Sequence, residues 1–198
     1  ALARYFIAKR FKVAGYDKDQ SEICISLKKD SYDIFFDDDP TMIPPSFREK
    51  STTLVVYTPA IPEDNNLLKY FKDHDYLMFK RAEILGMITE NLKCLAIAGT
   101  HGKTTISSLL AYILSNNFID CSAFLGGIAT DFDSNLRIGS TDIAVVEADE
   151  FDRSFLKLSP NWALISSIDA DHLDIYGTAH NFLESFHLFS NNVKDGNL

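Results

Sequence analysis

Leu95-Ala96-Ile97-Ala98-Gly99-Thr100-His101-Gly102-Lys103-Thr104-Thr105, followed by Ile106-Ser107-Ser108-Leu109-Leu110-Ala111-Tyr112-Ile113-Leu114, decides the fold. The small and apolar residues up to Ala98 read as a buried strand. Gly-Thr-His-Gly is a tight turn, and apolar positions 106, 109, 110, 113 and 114 then recur at helical spacing. Strand, glycine turn with Lys-Thr, and helix together make a phosphate cradle. Backbone N–H groups and the helix N-terminus face the anion, a lysine reaches the terminal phosphates, and a hydroxyl meets Mg²⁺. The loop is a shortened form, because Ile97 stands where the full pattern has its first glycine and Gly99 serves instead. Gly99, Thr100, His101, Gly102, Lys103, Thr104 and Thr105 are therefore the expected ATP-binding residues, with His101 inside the loop and facing nucleotide or substrate.

Outward from this stretch, strands and helices alternate. Toward the N-terminus, residues 1–10 read as the tail of a helix, 12–17 as a short strand, 21–28 as a helix, and 32–36 as a strand. Asp37-Asp38-Asp39-Pro40 is an acidic turn without the spacing or glycine of a Ca²⁺ loop. Thr52–Tyr57 is a nearly continuous apolar run, expected to be parallel and buried. It leads into Thr58-Pro59-Ala60-Ile61-Pro62 and a helix over 65–73, then a strand at 77–79 and a helix at 81–88. Asp17, closing its strand, is a candidate for a sugar hydroxyl, although an acid in a turn is the commoner reading.

Toward the C-terminus, Cys121–Leu125 reads as a strand running into Gly126-Gly127, and 131–140 as a polar loop. Ile143–Val146 reads as a strand ending on Glu147, 162–168 as a strand before Asp169-Ala170-Asp171-His172, and 179–190 as a helix with Phe182, Phe186 and Phe189 inward. This is α/β organisation in two abutting domains, 1–91 and 92–198.

With 198 residues, 46% hydrophobic and 24% charged, the chain is long enough for a real core and ordinary in composition. Its net charge of −9 argues against nucleic acid as a partner. No apolar run approaches the roughly 20 residues of a membrane span, so no membrane insertion is expected. Cys24, Cys94 and Cys121 show no pairing pattern or zinc spacing, which fits a reducing cytoplasm. The chain opens without Met and closes on Asp195-Gly196-Asn197-Leu198, a turn expected to feed another strand, and so reads as a fragment cut at both ends. Oligomeric state is not legible.

Three strand ends are expected to converge, carrying Lys103 and Thr104, Glu147, and His172. A carboxylate closing the strand beside a phosphate loop suits the metal near Thr104. The acids after it, Asp149, Glu150 and Asp152, leave open a solvated acidic turn. His172, between Asp171 and Asp174, is either a locally satisfied surface residue or a metal ligand.

Gly99–Thr105, then Glu147-Ala148-Asp149-Glu150-Phe151-Asp152-Arg153-Ser154-Phe155, then Asp169-Ala170-Asp171-His172-Leu173-Asp174-Ile175-Tyr176-Gly177 closely resemble the Mur ligases. Thr58–Pro62 resembles that family's UDP-domain loop, and Gly126-Gly127 with Asn135 fits its central domain. The resemblance covers essentially the whole chain and accounts for the short phosphate loop. It implies an incomplete Rossmann-like UDP-binding domain, lacking its first strand and glycine loop, followed by a C-terminally truncated P-loop ATP-binding domain. It further implies a ligase of peptidoglycan precursor synthesis. ATP phosphorylates the carboxylate of UDP-N-acetylmuramate, and the amine of an amino acid displaces phosphate from the acyl phosphate. No lysine lies between Leu173 and Asn192, where siblings adding later residues place a carbamylated one, which favours L-alanine.

Implied roles are Lys103 at the β/γ-phosphates, Thr104 and Glu147 on one Mg²⁺, and His172 on a second. Asp17, Thr58, Pro59, His101 and Asn135 are candidate substrate contacts. Alternatives are a Mur-type ligase that attaches a peptide to UDP-muramate, or a P-loop nucleotide-binding module without ligase activity. A guanine switch would need Asn-Lys-x-Asp and a dinucleotide dehydrogenase G-x-G-x-x-G, and neither occurs. The isolated fragment is expected to be inactive. Its first domain is expected to be the weaker half, because a missing central strand leaves neighbouring backbone unpaired.

Overall fold

Residues 1–29 and 32–194 are described in the computed structural model of the protein. The closing turn at 195–198 lies outside them. The chain forms two compact units, Phe6–Arg81 and Ala82–Leu198, the second also including Ala1–Tyr5. The helix Leu2–Ala8 (α1) is thus shared, with Leu2 and Tyr5 packed on the second unit's core. The division falls at 81/82 rather than near 91, because the helix Arg81–Glu90 (α4) buries Ile84 and Leu85 and belongs with the second unit.

In the first unit, Ala14–Tyr16 (β1) pairs in parallel with Asp33–Phe35 (β2), and the helix Glu22–Lys29 (α2) connects them. Leu54–Tyr57 (β3) pairs in parallel with Leu77–Lys80 (β4) around the helix Asn66–Asp73 (α3). Among the described residues these remain two separate two-stranded ladders. The apolar run at 52–57 therefore departs from expectation. It is parallel, but Leu54 and Val56 are exposed, 40% and 37%. The acidic turn at 37–39 acts as helix caps. Asp38 accepts from the amides of Asn66 and Leu67 at the start of α3, and Asp39 accepts from the amide of Thr41.

The second unit is built on one sheet. Lys93–Ala98 (β5) lies at its heart, with Ile143–Glu147 (β8) on one side and Trp162–Ile165 (β9) on the other, all parallel. Ser122–Ala129 (β6) extends the sheet beyond β8, and Ser134–Arg137 (β7) pairs antiparallel with β6 at the edge. The strand order is β7-β6-β8-β5-β9. The polar loop expected over 131–140 thus contains a strand, held by Arg137, which donates to the Cys121 carbonyl and, across 2.7 Å, to Asp120 Oδ1.

Cys94, Ala96, Ile97 and Ala98 of β5, and Ala144, Val145 and Val146 of β8, are all buried. Small and β-branched residues buried on both faces are what a parallel sheet covered on two sides demands. The helix Lys103–Asn116 (α5) packs on one face, where Ala111 meets Ala123, Leu125 and Val145. On the other lies the helix Ala179–Asn191 (α7), capped by Thr178, whose hydroxyl accepts from the Asn181 amide. Phe182, Phe186 and Phe189 point inward from it, as the spacing predicts, and Phe155 stacks on Phe189 with ring centroids 4.9 Å apart. A short helix, Leu173–Tyr176 (α6), precedes α7.

Candidate active site at the strand tips

Because β5, β8 and β9 are parallel neighbours, their carboxyl ends share one edge of the sheet. Ligand sites in open α/β sheets lie at such edges. Ile97 of β5 is in register with Glu147 of β8 and with Leu164 of β9. The phosphate loop, Glu147 and the segment leading to His172 therefore leave the sheet side by side.

Gly99 has φ +123°, a backbone state that disfavours any side chain, and a Cβ there would collide with Ser166. The chain can then turn sharply, and α5 begins directly after Gly102. The loop is clipped to the tip of β9. Thr100 N donates to the Ser167 carbonyl at 3.0 Å, and the two side-chain hydroxyls lie 3.0 Å apart. The Asp169 amide donates to Thr100 Oγ1, and Ser166 Oγ donates to the His101 carbonyl at 2.5 Å. The strand expected over 162–168 ends at Ile165, and Ser166 and Ser167 beyond it serve as loop anchors.

Lys103 is half-buried at the start of α5. Its Nζ donates to the Gly99 carbonyl at 2.7 Å and to Glu150 Oε1 at 2.9 Å. Glu150 is 1% exposed, which rules out a solvated acidic turn at that position. Thr104 Oγ1 donates to Glu147 Oε1 at 2.9 Å, and the amide of Gly126 donates to Glu147 Oε2 at 2.8 Å. A hydroxyl and a carboxylate in contact beside the glycine turn are hard oxygen donors of the kind Mg²⁺ takes. Among the described residues no group of three His, Cys, Asp or Glu side chains gathers.

His172 follows β9 in a left-handed conformation, φ 52°, as the residue before α6. Its amide donates to Asp171 Oδ1, and its ring stands edge-on to Phe151 with centroids 5.4 Å apart. His101 Nε2 lies 3.6 Å from Asp169 Oδ2, both side chains exposed. Asn135 sits on the edge strand β7, next to Ser134, which is in register with Ala129 at the end of β6.

The remaining candidates lie in the other unit. A cleft of about 790 Å³ opens there between the two ladders, lined by Asp17, Phe35, Asp38, Tyr57, Thr58 and Asn65 among others. Thr58 borders it, and Pro59 is not among its lining residues. Asp17 also organises its own turn, accepting from the Asp19 amide and from the Cys24 thiol.

Residues 97–198, more than half of the chain, match the Mur ligase middle domain. The chain belongs to the Mur ligase family. It is 50% identical over 99% of its length to a UDP-N-acetylmuramate–L-alanine ligase of Porphyromonas gingivalis, covering 43% of that protein. It is 48% identical over its full length to the ligase of that name from Christiangramia forsetii, covering 44%. This Mur ligase chain thus spans less than half the length of the curated relatives it matches. Among solved structures, it superposes on the UDP-N-acetylmuramate–alanine ligase of Thermotoga maritima with a TM-score of 0.83 at 27% identity, over 98% of this chain and 44% of that one. The likeness to the UDP-N-acetylmuramate:L-alanyl-γ-D-glutamyl-meso-diaminopimelate ligase of Neisseria meningitides, TM-score 0.86 at 21% identity over 97% of this chain and 64% of that one, speaks to fold alone. Among the described residues no helix is long and apolar enough to cross a membrane.

Proposed function

We propose that this chain is the nucleotide-handling part of an ATP-dependent ligase that joins L-alanine to the carboxylate of UDP-N-acetylmuramate. The single observation behind this reading is the meeting of Lys103, Thr104 and Glu147 at adjacent tips of β5 and β8, in a Mur ligase chain half identical to alanine-adding relatives.

The chemistry divides among named groups. The amides of the 99–105 loop and the N-terminus of α5 receive the phosphates, and the ammonium of Lys103 offsets charge on the terminal ones. Thr104 and Glu147 would hold Mg²⁺, which when bound supplies charge neutralisation at the transferring phosphoryl group. His172, on the neighbouring tip, would help to hold a second ion. The sugar's carboxylate oxygen then attacks the terminal phosphorus and ADP departs. The amine nitrogen of L-alanine adds to the acyl carbon, loses a proton, and inorganic phosphate leaves. No protein nucleophile is required, so the residues serve mainly in positioning and electrostatics.

The cleft between the two ladders, with Asp17 and Thr58 on its walls, would receive the UDP-sugar, with Pro59 in the adjoining loop, and His101 and Asn135 would meet substrate at the sheet edge. The choice of L-alanine over a peptide is favoured by the names and identities of the relatives. A chimera tests this directly: the chain replaces its counterpart in the Porphyromonas gingivalis relative, and product is followed by mass spectrometry. Ligation of L-alanine, abolished by Lys103→Met, is the expected result. Ligation of a tripeptide instead would assign the chain to peptide attachment, and nucleotide binding without ligation would leave only a P-loop module.

A further inference from the structure

One buried charge at this edge has no part in the reading above. Glu150 is 1% exposed, and its Oε2 pairs with Lys103 Nζ across 2.8 Å. An ammonium has three N–H donors. Two are committed, to the Gly99 carbonyl at 2.7 Å and to Glu150 Oε1 at 2.9 Å. Glu150 Oε2 lies 2.8 Å from the same ammonium, so the carboxylate straddles it.

The backbone that presents Glu150 is itself fixed. Tyr176, 2% exposed, donates its hydroxyl hydrogen to the Glu150 carbonyl at 2.6 Å. The guanidinium of Arg153 lies 5.3 Å over the Tyr176 ring. Asp152 and Arg153 both take left-handed conformations, φ 51° and 56°, which non-glycine residues adopt only at a cost that surrounding structure must offset. The strained turn and the tyrosine together aim one carboxylate at one lysine.

We propose that Glu150 is a positioning residue for nucleotide binding. Supported by Tyr176, it holds the Lys103 ammonium where its charge addresses the terminal phosphates, and it keeps that hold when the nucleotide arrives. A lysine that swung away would strand a buried carboxylate without its cation, a strongly unfavourable state. The proposal rests on the nucleotide reading above and adds to it a group that touches no substrate.

Two double-mutant cycles on the 198-residue chain test it. In the first, without nucleotide, urea unfolding is compared for the unsubstituted chain, Lys103→Met, Glu150→Gln and the double variant. Lys103→Met should shift the unfolding equilibrium toward the unfolded state by about tenfold or more, and adding Glu150→Gln should recover most of that. In the second, calorimetry follows the non-hydrolysable ATP analogue AMPPNP with Mg²⁺, and AMP. Glu150→Gln should weaken AMPPNP by about tenfold, leave AMP unchanged, and have no further effect on Lys103→Met. Glu150→Asp should restore part of the affinity. Tyr176→Phe should lose about threefold in the same direction, and it decides the matter if Glu150→Gln does not fold.

AMPPNP binding unchanged or tightened by Glu150→Gln, or weakened equally in the Lys103→Met background, would overturn the positioning role while leaving the nucleotide site standing. Failure of the unsubstituted chain to bind AMPPNP, with the stability coupling present, would overturn the nucleotide reading, and Glu150 would be a structural ion pair only.

Discussion

The Thr104 hydroxyl donates to Glu147 Oε1 across 2.9 Å, joining the first turn of α5 to the tip of β8. The carboxylate's other oxygen accepts from the Gly126 amide at 2.8 Å, so three elements fix one side chain before any ion is bound. Glu147→Gln keeps the shape and removes the charge. The Mg²⁺-dependent part of nucleotide affinity should fall by about 10- to 100-fold, read from titrations with and without the metal.

A side chain at Gly126 would displace the Glu147 carboxylate. A Cβ there would lie 2.5 Å from Glu147 Oε1, whereas at Gly127 it would meet only the Thr104 methyl at 3.3 Å. Gly126→Ala should therefore blunt the Mg²⁺ effect at a stability cost of about 1–3 kcal/mol. Gly127→Ala should leave the Mg²⁺ effect nearly intact. Equal behaviour of the two would contradict the packing of Glu147 against β6.

Gly99→Ala meets backbone as well as the Ser166 hydroxyl. Its Cβ would lie 2.9 Å from the amides of both Ser166 and Ser167, at a φ of +123°. A loss of about 2–4 kcal/mol is expected, combining backbone strain with overpacking, and chemical denaturation measures it. Because the clip from Thr100 to Ser167 holds the same loop, Ser167→Ala should weaken nucleotide binding with a smaller change in stability.

Acid should loosen the edge of the sheet. Hydrogen bonds from Ser140, and then Arg137, hold the Asp120 carboxyl at about 2, below its ordinary value near 4. A depressed carboxyl contributes stability that is present above the unfolded value and lost as pH falls toward the folded one. Urea midpoints should thus drop between about pH 4 and pH 2, and Asp120→Asn should flatten that part of the profile. At the alkaline end, burial pushes Tyr176 up to about 12. The stability this group contributes is complete below its ordinary value near 10, and is lost as pH rises from there toward 12.

In the core, Phe186 and Phe189 both pack on Phe155, with ring centroids 5.1 and 4.9 Å from it. Phe186→Ala should cost about 3–5 kcal/mol, the range for a buried aromatic truncated to alanine. A loss under about 1 kcal/mol would mean that α7 is not seated on the sheet.

The sheet was legible because its central strands are continuous apolar runs, and the run before Gly99 has no plausible place but a buried parallel strand. The meeting of the tips of β5 and β8 is expected because the carboxyl ends of neighbouring parallel strands share one edge of the sheet. β7 was hidden, since Ser134-Asn135-Leu136-Arg137 carries only one buried apolar residue and an antiparallel edge strand asks little more. Leu54 and Val56 misled in the opposite direction, because an apolar run signals a strand but not what will cover it. Glu150 could not be told from its acidic neighbours by type. Its burial depends on Lys103, 47 positions away, and only pairing of β5 with β8 brings the two together. Ser166-Ser167, directly after Ala163-Leu164-Ile165, was a readable signal. Two hydroxyls at a strand's carboxyl end mark where the chain turns to hold a neighbouring loop.

The most direct measurement is an amide-resolved NMR titration of the chain with ATP, repeated with and without Mg²⁺. Perturbations should gather at Gly99–Thr105, with Gly126, Glu147 and His172 responding only when the metal is present. Shifts confined to the opposite edge of the sheet, near 141–143 and 159–161, or a response at Glu147 indifferent to Mg²⁺, would contradict a nucleotide and its metal seated where these strand tips meet.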